Sequence, residues 1–312
     1  VNSIFSGLLF PAIFWGLAYT AYRVLLVGKD GLPWHKKRKA PFTTNFLRPP
    51  GYSVFEKVEG LRFDVIGHML GVAILPILLI ATYLVMEKLS DKPMTVLAKG
   101  IMLSAALGLM LHQMIKLYRG ARELKMMRLG YEAEVAVGQE LNQLMRAGFY
   151  VFHDLPADKF NIDHVVIGPT GVFAVETKGR SKPVTGDGKA DARVIIEGDV
   201  LHFPHWKERQ PVQQARRQAK WLSGWLTRAV GEQVPVTPVL TLPGWYTEIK
   251  QPTDVKIFYG RKPEKLFAIP HSKPPLSDVM IKRIVHQIDA KCRDVEPKSY
   301  APPISKMVKK AS

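Results

Sequence analysis

The chain predicts a mixed α/β domain carried behind membrane-spanning helices, and two observations predict it. The first 118 of 312 residues hold three apolar runs of bilayer length, and from about residue 130 the pattern turns to alternating helix and strand periods. A composition 47% hydrophobic and 23% charged excludes a wholly disordered protein. The net charge of +17 and pI near 9.8 favour an anionic partner, either nucleic acid or the inner face of an anionic membrane. With Cys292 as the single cysteine, neither an intrachain disulfide nor a cysteine-rich zinc site can form, which fits a reducing compartment; Cys292 reads as an ordinary helix residue.

The membrane region, 1–118, has runs at 3–27, 65–86 and 96–117, where a crossing needs about 20 residues. The first lacks a basic leader and exceeds the apolar length of a signal peptide, so it reads as a span. The third carries Lys99, His112 and Gln113, which leaves a two-span hairpin with an interfacial third helix as the alternative. The loop 29–63 contains Lys29, Lys36, Lys37, Arg38, Lys39, Arg48, Lys57 and Arg62, against only Lys88 and Lys92 in the next loop. Positive charge marks the cytoplasmic side, so the N-terminus is expected outside and everything after 118 in the cytoplasm of an inner-membrane protein. His68 and His112 then lie near cytoplasmic ends as interfacial residues.

A helix is expected over 131–147, with Ala133, Val137, Leu141 and Leu144 on one face and Gly148 ending it. "FYVFHDL", "IDHVVIG" and "GVFAVETK" follow as strands. After the polar, Gly-rich "TGDGKADARVIIEGD" and the aromatic "LHFPHW", Pro211 opens a second helix with Val212, Ala215, Ala219, Leu222 and Leu226 as its buried stripe. "VPVTPVLTL" and "VKIFYG" are later strands, and 277–292 is a last helix capped by Ser277 with Ile281, Ile284, Val285 and Ile288 inside. The expected divisions are a core over 119–245, a strand and helix extension over 246–293, and a disordered basic tail over 294–312.

The hairpin 162–178 carries the chemistry. If Gly168 to Gly171 closes it symmetrically, paired numbers sum to 339, and Asp163 lies opposite Glu176 with Lys178 two residues along the same face. Opposed carboxylates destabilise a sheet unless a proton or a cation comes between them. Oxygen-only ligation suits Mg2+ or Mn2+, and Lys178 beside a metal-bound water suits phosphodiester hydrolysis. A solvated strand edge, with Lys178 paired to one acid, is the alternative from residue types alone.

The stretches Ile162 to Pro169 and Gly171 to Gly179 resemble the nuclease-related domain, a family of the PD-(D/E)XK nuclease superfamily, over about 129–241. Members carry a Gly-x-x-Gly-Glu pattern, here Gly130-Tyr131-Glu132-Ala133-Glu134 with Ala133 replacing the second glycine, and Pro-x-x-Gln, here Pro211 to Gln214. The usual asparagine before that proline is Gln210. The resemblance implies a restriction-endonuclease-like αβββαβ core with a mixed central sheet. It implies further that Asp163 and Glu176 bind metal, Lys178 serves the nucleophilic water, and Glu134 and Gln214 support the site.

Arg209, Arg216, Arg217 and Lys220, with Arg228, give the second helix a basic surface for phosphates, interleaved with Trp206, Trp221 and Trp225 that either stack bases or cover the core. His202 and His205 have zinc-compatible spacing without partners, and His164 should point to the face opposite Asp163. The expectation is a membrane-anchored, metal-dependent nuclease acting on nucleic acid, with DNA favoured and RNA left open, and with self-association through Gly100, Ser104 and Gly108 open to it. The competing reading is a non-catalytic nucleic-acid-binding or scaffold module tethered to the bilayer. A membrane sensor or transport component is a third.

Overall fold

The computed structural model describes residues 42, 44–89, 94–184, 190–270 and 275–297. The first apolar run, the lysines and arginines at 29–39, Lys92 and most of the basic tail lie outside the described residues. Two compact units form: Gly60–Leu124 belongs to one, and Asn45–Glu59 with Lys125–Glu296 makes the other.

Two long helices run through the first unit: α1 (Tyr52–Leu89) and α2 (Val96–Asn142). Both are long and apolar enough to cross a membrane by length and composition, and Ile77, Ile80, Leu103 and Leu107 stand exposed on them. Two of the polar groups that weaken the third run, Gln113 and Lys99, find partners, with His68 Nδ1 2.8 Å from Gln113 Oε1 and Lys99 Nζ 3.6 Å from Glu87. Gly100 and Gly108 face open space.

Two boundaries differ from the sequence reading. Residues 52–63, expected in the basic loop, already belong to α1. The third run and the helix expected at 131 are one continuous α2, followed by a 3₁₀ turn at Gln143–Ala147 that Gly148 ends in the left-handed conformation. Its intervening residues, "YRGARELKMMRLG", are mostly strong helix formers, and two glycines cost only about 1 kcal/mol each without a proline to stop the helix.

The second unit is built on a mixed five-stranded sheet. β1 (Tyr150–Pro156), β2 (Asn161–Gly168) and β3 (Gly171–Thr177) are antiparallel neighbours, and β3 then pairs parallel with β7 (Val236–Thr241), which pairs parallel with β9 (Lys256–Phe258). Both faces are covered, which explains the near-continuous apolar runs. Val165, Ile167, Val172 and Ala174 pack under α3 (Gln210–Val230) and α5 (Asp278–Cys292), while Val166, Phe173 and Val175 pack with Val137, Leu141 and Leu144 of α2 and with Phe267 of α4 (Glu264–Phe267). Truncating Leu141 or Leu222, both fully buried, would cost about 2–5 kcal/mol.

A second sheet escaped the sequence reading. β4 (Arg193–Glu197), β5 (Val200–His202), β6 (Lys207–Glu208) and β8 (Tyr246–Gln251) form four strands in the order β6-β5-β4-β8. β4 hides inside the polar stretch because only Val194, Ile195 and Ile196 are apolar there, too few for a periodic signal. Its Val194 and Ile196 pack with Val212 and Ala215 of α3, holding the helix from its outer side. The Ser277 hydroxyl caps α5, accepting the Met280 N–H at 3.2 Å. Buried Cys292 closes that helix, and the expected disorder does not begin at 294: Val295 bridges Phe46, and Asp294 binds Arg48.

Candidate active site

The β2–β3 register runs from Gly168↔Gly171 to His164↔Val175, and the ladder stops one pair before Asp163 and Glu176. Beyond that point β3 keeps its pairing with β7 on its other edge, with Glu176↔Leu240 and Thr177↔Thr241, while its ladder with β2 has ended. Asp163 spans the opening: its Oδ2 accepts the Thr177 N–H at 2.6 Å. By strand alternation Asp163, Glu176 and Lys178 share the face that Val165, Val172 and Ala174 present to α3.

Glu176 is 1% exposed and held at both oxygens. Lys178 Nζ lies 2.5 Å from Oε1, and the Gln218 amide donates to Oε2 at 2.5 Å and to the Asn161 carbonyl at 3.2 Å. Buried Glu134 comes from α2, on the sheet's other face. Gly179 permits its approach, since a Cβ there would stand 2.8 Å from the Leu129 carbonyl and 2.9 Å from the Ala133 Cβ. The residue departing from Gly-x-x-Gly-Glu thus sits at the closest contact of helix and strand end, where only a small side chain fits.

Three carboxylates therefore face one ammonium. Burial, then the charges of Asp154 and Glu176, push the Glu134 carboxyl up to about 8 against the pull of Lys178 and Lys57. Burial, then Glu176 and Glu134, raise Asp163 well above the usual carboxylate range despite the Thr177 N–H and Lys178. Thr177 Oγ1 and Gln218 Oε1, both buried beside these acids, have no hydrogen-bond partner among the described residues. Crowded carboxylates with unsatisfied oxygens fit a hard divalent cation, which uses one or two carboxylates plus waters and substrate oxygens. Among the described residues no group of three or more His, Cys, Asp or Glu side chains forms a metal cage.

Of the expected site residues, Glu134, Asp163, Glu176 and Lys178 converge. Gln214 does not join them: it is half-buried and its side chain makes no hydrogen bond among the described residues, and Gln218, one turn further along the same helical face, reaches Glu176 instead. That i, i+4 spacing was the available signal for Gln218, whereas nothing in the sequence pointed to Asn161 or Asp154. Arg216 is held by Asp199 at 2.7 Å and Asp254 at 2.5 Å, so its fork is taken. Arg209, Arg217 and Lys220 are exposed and make no ion pair among the described residues. Trp221 and Trp225 stack with an interplanar angle of 2° over the core, and Trp206 stacks on Phe203 at 4.5 Å, so the tryptophans cover apolar surface. His202 pairs with Glu197 at 3.2 Å, and His205 is exposed. His164 lies opposite to Asp163 in the sheet, fully buried, with Nδ1 2.9 Å from Nδ1 of His153; burial lowers both rings, His153 to about 4.

The family model described as nuclease-related domain matches residues 129–243, the stretch that holds Glu134, Asp163, Glu176 and Lys178. Neither a curated protein nor a solved structure matches the chain.

Proposed function

We propose that the protein is a membrane-anchored, metal-dependent nuclease with a PD-(D/E)XK-type core, hydrolysing phosphodiester bonds of nucleic acid, DNA in preference to RNA. The N-terminus lies outside and the catalytic domain at the cytoplasmic face of the inner membrane. The observation that carries this reading is the convergence of Glu134, Asp163, Glu176 and Lys178 at the mouth of the β2–β3 fork.

Asp163 and Glu176 would hold Mg2+ or Mn2+, which when bound supplies Lewis-acid stabilisation of charge at the phosphoryl oxygens. Lys178, half-buried and 2.5 Å from Glu176, is held beside that carboxylate and can orient a water for in-line attack on phosphorus. Gln218 fixes the rotation of the Glu176 carboxylate. Burial and the neighbouring acids raise the Glu134 carboxyl, and a cation held by Asp163 and Glu176 would offset that crowding of carboxylates. The exposed Arg209, Arg217 and Lys220 offer phosphate contacts away from the reacting centre.

The test uses the full chain in detergent with supercoiled plasmid, linear duplex, single-stranded DNA and RNA, in Mg2+, Mn2+ or EDTA. Metal-dependent cutting that disappears in Asp163→Ala and Glu176→Ala while nucleic-acid binding persists is expected. Binding without cutting by the unaltered chain would favour the tethered binding module instead.

A further inference from the structure

We propose that Asp154 is a positioning residue of this site, and that the segment leading into α1, through Arg48 and through Ser53 in the helix's first turn, is a working part of the catalytic unit rather than a tether alone. The inference rests on the nuclease reading and extends it to residues before the matched stretch 129–243.

Asp154 is 1% exposed and sits in β1 at φ 50°, a backbone region that non-glycine side chains seldom occupy. The β1–β2 register, His153↔His164 and Leu155↔Ile162, places it opposite Asp163 at a skipped pair. A buried carboxylate in a strained conformation must be held, and four donors hold it. Ser53 gives its hydroxyl to Oδ1 at 2.6 Å and its backbone N–H to Oδ2 at 3.0 Å. Arg48 Nη1 donates to Oδ2 at 2.9 Å, and Asn161 Nδ2 donates to Oδ1 at 3.0 Å. Three of the four donors belong to the segment before or at the start of α1.

From Asn161 the chain of contacts reaches the reacting centre. Its carbonyl accepts the Gln218 amide, the same nitrogen that donates to Glu176 Oε2, and Glu176 Oε1 meets Lys178. The hydroxyl of Ser53 is thus joined to the Lys178 ammonium through Asp154, Asn161, Gln218 and Glu176, each link at hydrogen-bond distance apart from the covalent path within each residue. A second anchor lies beside Glu134. Pro50 packs so closely on α2 that a Cβ on Gly138 would stand 2.6 Å from it, and Phe55 meets the ring of Tyr131 at 5.6 Å. A purely structural clamp needs Arg48 and its bond to Asp294, but nothing in such a role requires Asn161 to donate its side chain to Asp154 while its backbone carbonyl accepts from Gln218.

The discriminating variants are Ser53→Ala and Ser53→Thr in the full chain. Ser53→Ala removes one charge-assisted bond and leaves three donors on Asp154, so folding survives. The expected result is a kcat about tenfold lower, since small misplacements of a reacting group are costly in rate, with KM for nucleic acid unchanged. Ser53→Thr restores the hydroxyl and should restore kcat. Independently of turnover, hydrogen exchange read by mass spectrometry should quicken over 160–164 and 176–178 in Ser53→Ala and return to normal in Ser53→Thr. Unchanged exchange in Ser53→Ala, or a kcat equal to that of the unaltered chain, would overturn the inference. Quickened exchange in a chain that cuts nothing would retire the nuclease reading and leave the link from Ser53 to Glu176 standing.

Discussion

Gln218 donates its amide to the Glu176 carboxylate at 2.5 Å, on the oxygen that Lys178 leaves free. A carboxylate gripped at both ends cannot rotate, so its lone pairs keep a fixed direction. Gln218→Leu should cost about 1–3 kcal/mol, because a buried oxygen loses its donor, and should abolish most cleavage. Gln214→Leu should do neither, since the Gln214 side chain makes no hydrogen bond among the described residues. Denaturant unfolding and a plasmid-cutting assay on both variants check the contrast.

The crowded acids predict a stability that depends on pH and metal together. The Glu134 carboxyl is raised from 4.5 to about 8, so the folded state holds a proton that the unfolded chain has released. Its stabilising contribution is whole below about pH 4.5 and is lost as pH rises through 8, and Asp163 acts in the same direction. The lowered His153 works the other way, but its contribution is complete above about 6.5. Between pH 6.5 and 8 in EDTA, the melting temperature should therefore fall, and Mn2+ should raise it more at pH 8 than at 6.5. A Glu134→Gln chain should show a flatter profile.

The basic helix should divide into two kinds of arginine. Arg217→Gln and Lys220→Gln should each weaken nucleic-acid binding and lower the salt slope by about 1, as loss of a phosphate contact does. Arg216→Gln should leave the slope unchanged and instead destabilise the fold, because Asp199 and Asp254 lose a shared partner. Affinities across a salt series, set beside melting curves, separate the two.

A fragment beginning at residue 119 should be unstable although it contains the whole matched domain. It lacks Arg48 and Ser53, leaving buried Asp154 with only Asn161 as donor. An uncompensated buried charge costs roughly 3–5 kcal/mol. Asp154→Asn within that fragment should recover part of the loss, measured by soluble yield and thermal melting.

Legibility followed signal strength. The hairpin register was readable because Gly168 to Gly171 is a tight turn between two apolar runs, and period-2 counting then put Asp163 and Glu176 together. The helical stripes of α3 and α5 were readable for the same reason of strong periodicity. β4 was not, since three apolar residues among charges carry no period, and neither was the junction within α2, where no proline or cap marks an end. Gln218 lay hidden behind Gln214 because two glutamines one turn apart look alike until a partner is placed. Arg48, Ser53 and Asp154 were beyond reach for a different reason: their contacts join positions about a hundred residues apart.

The most direct measurement is cleavage of supercoiled plasmid by the full chain, with Lys178→Ala alongside, in Mg2+, Mn2+ and EDTA. The account predicts cutting by the unaltered chain in either metal, none in EDTA, and none by Lys178→Ala despite unchanged plasmid affinity. Cutting by Lys178→Ala at the rate of the unaltered chain, or cutting that persists in EDTA, would contradict it.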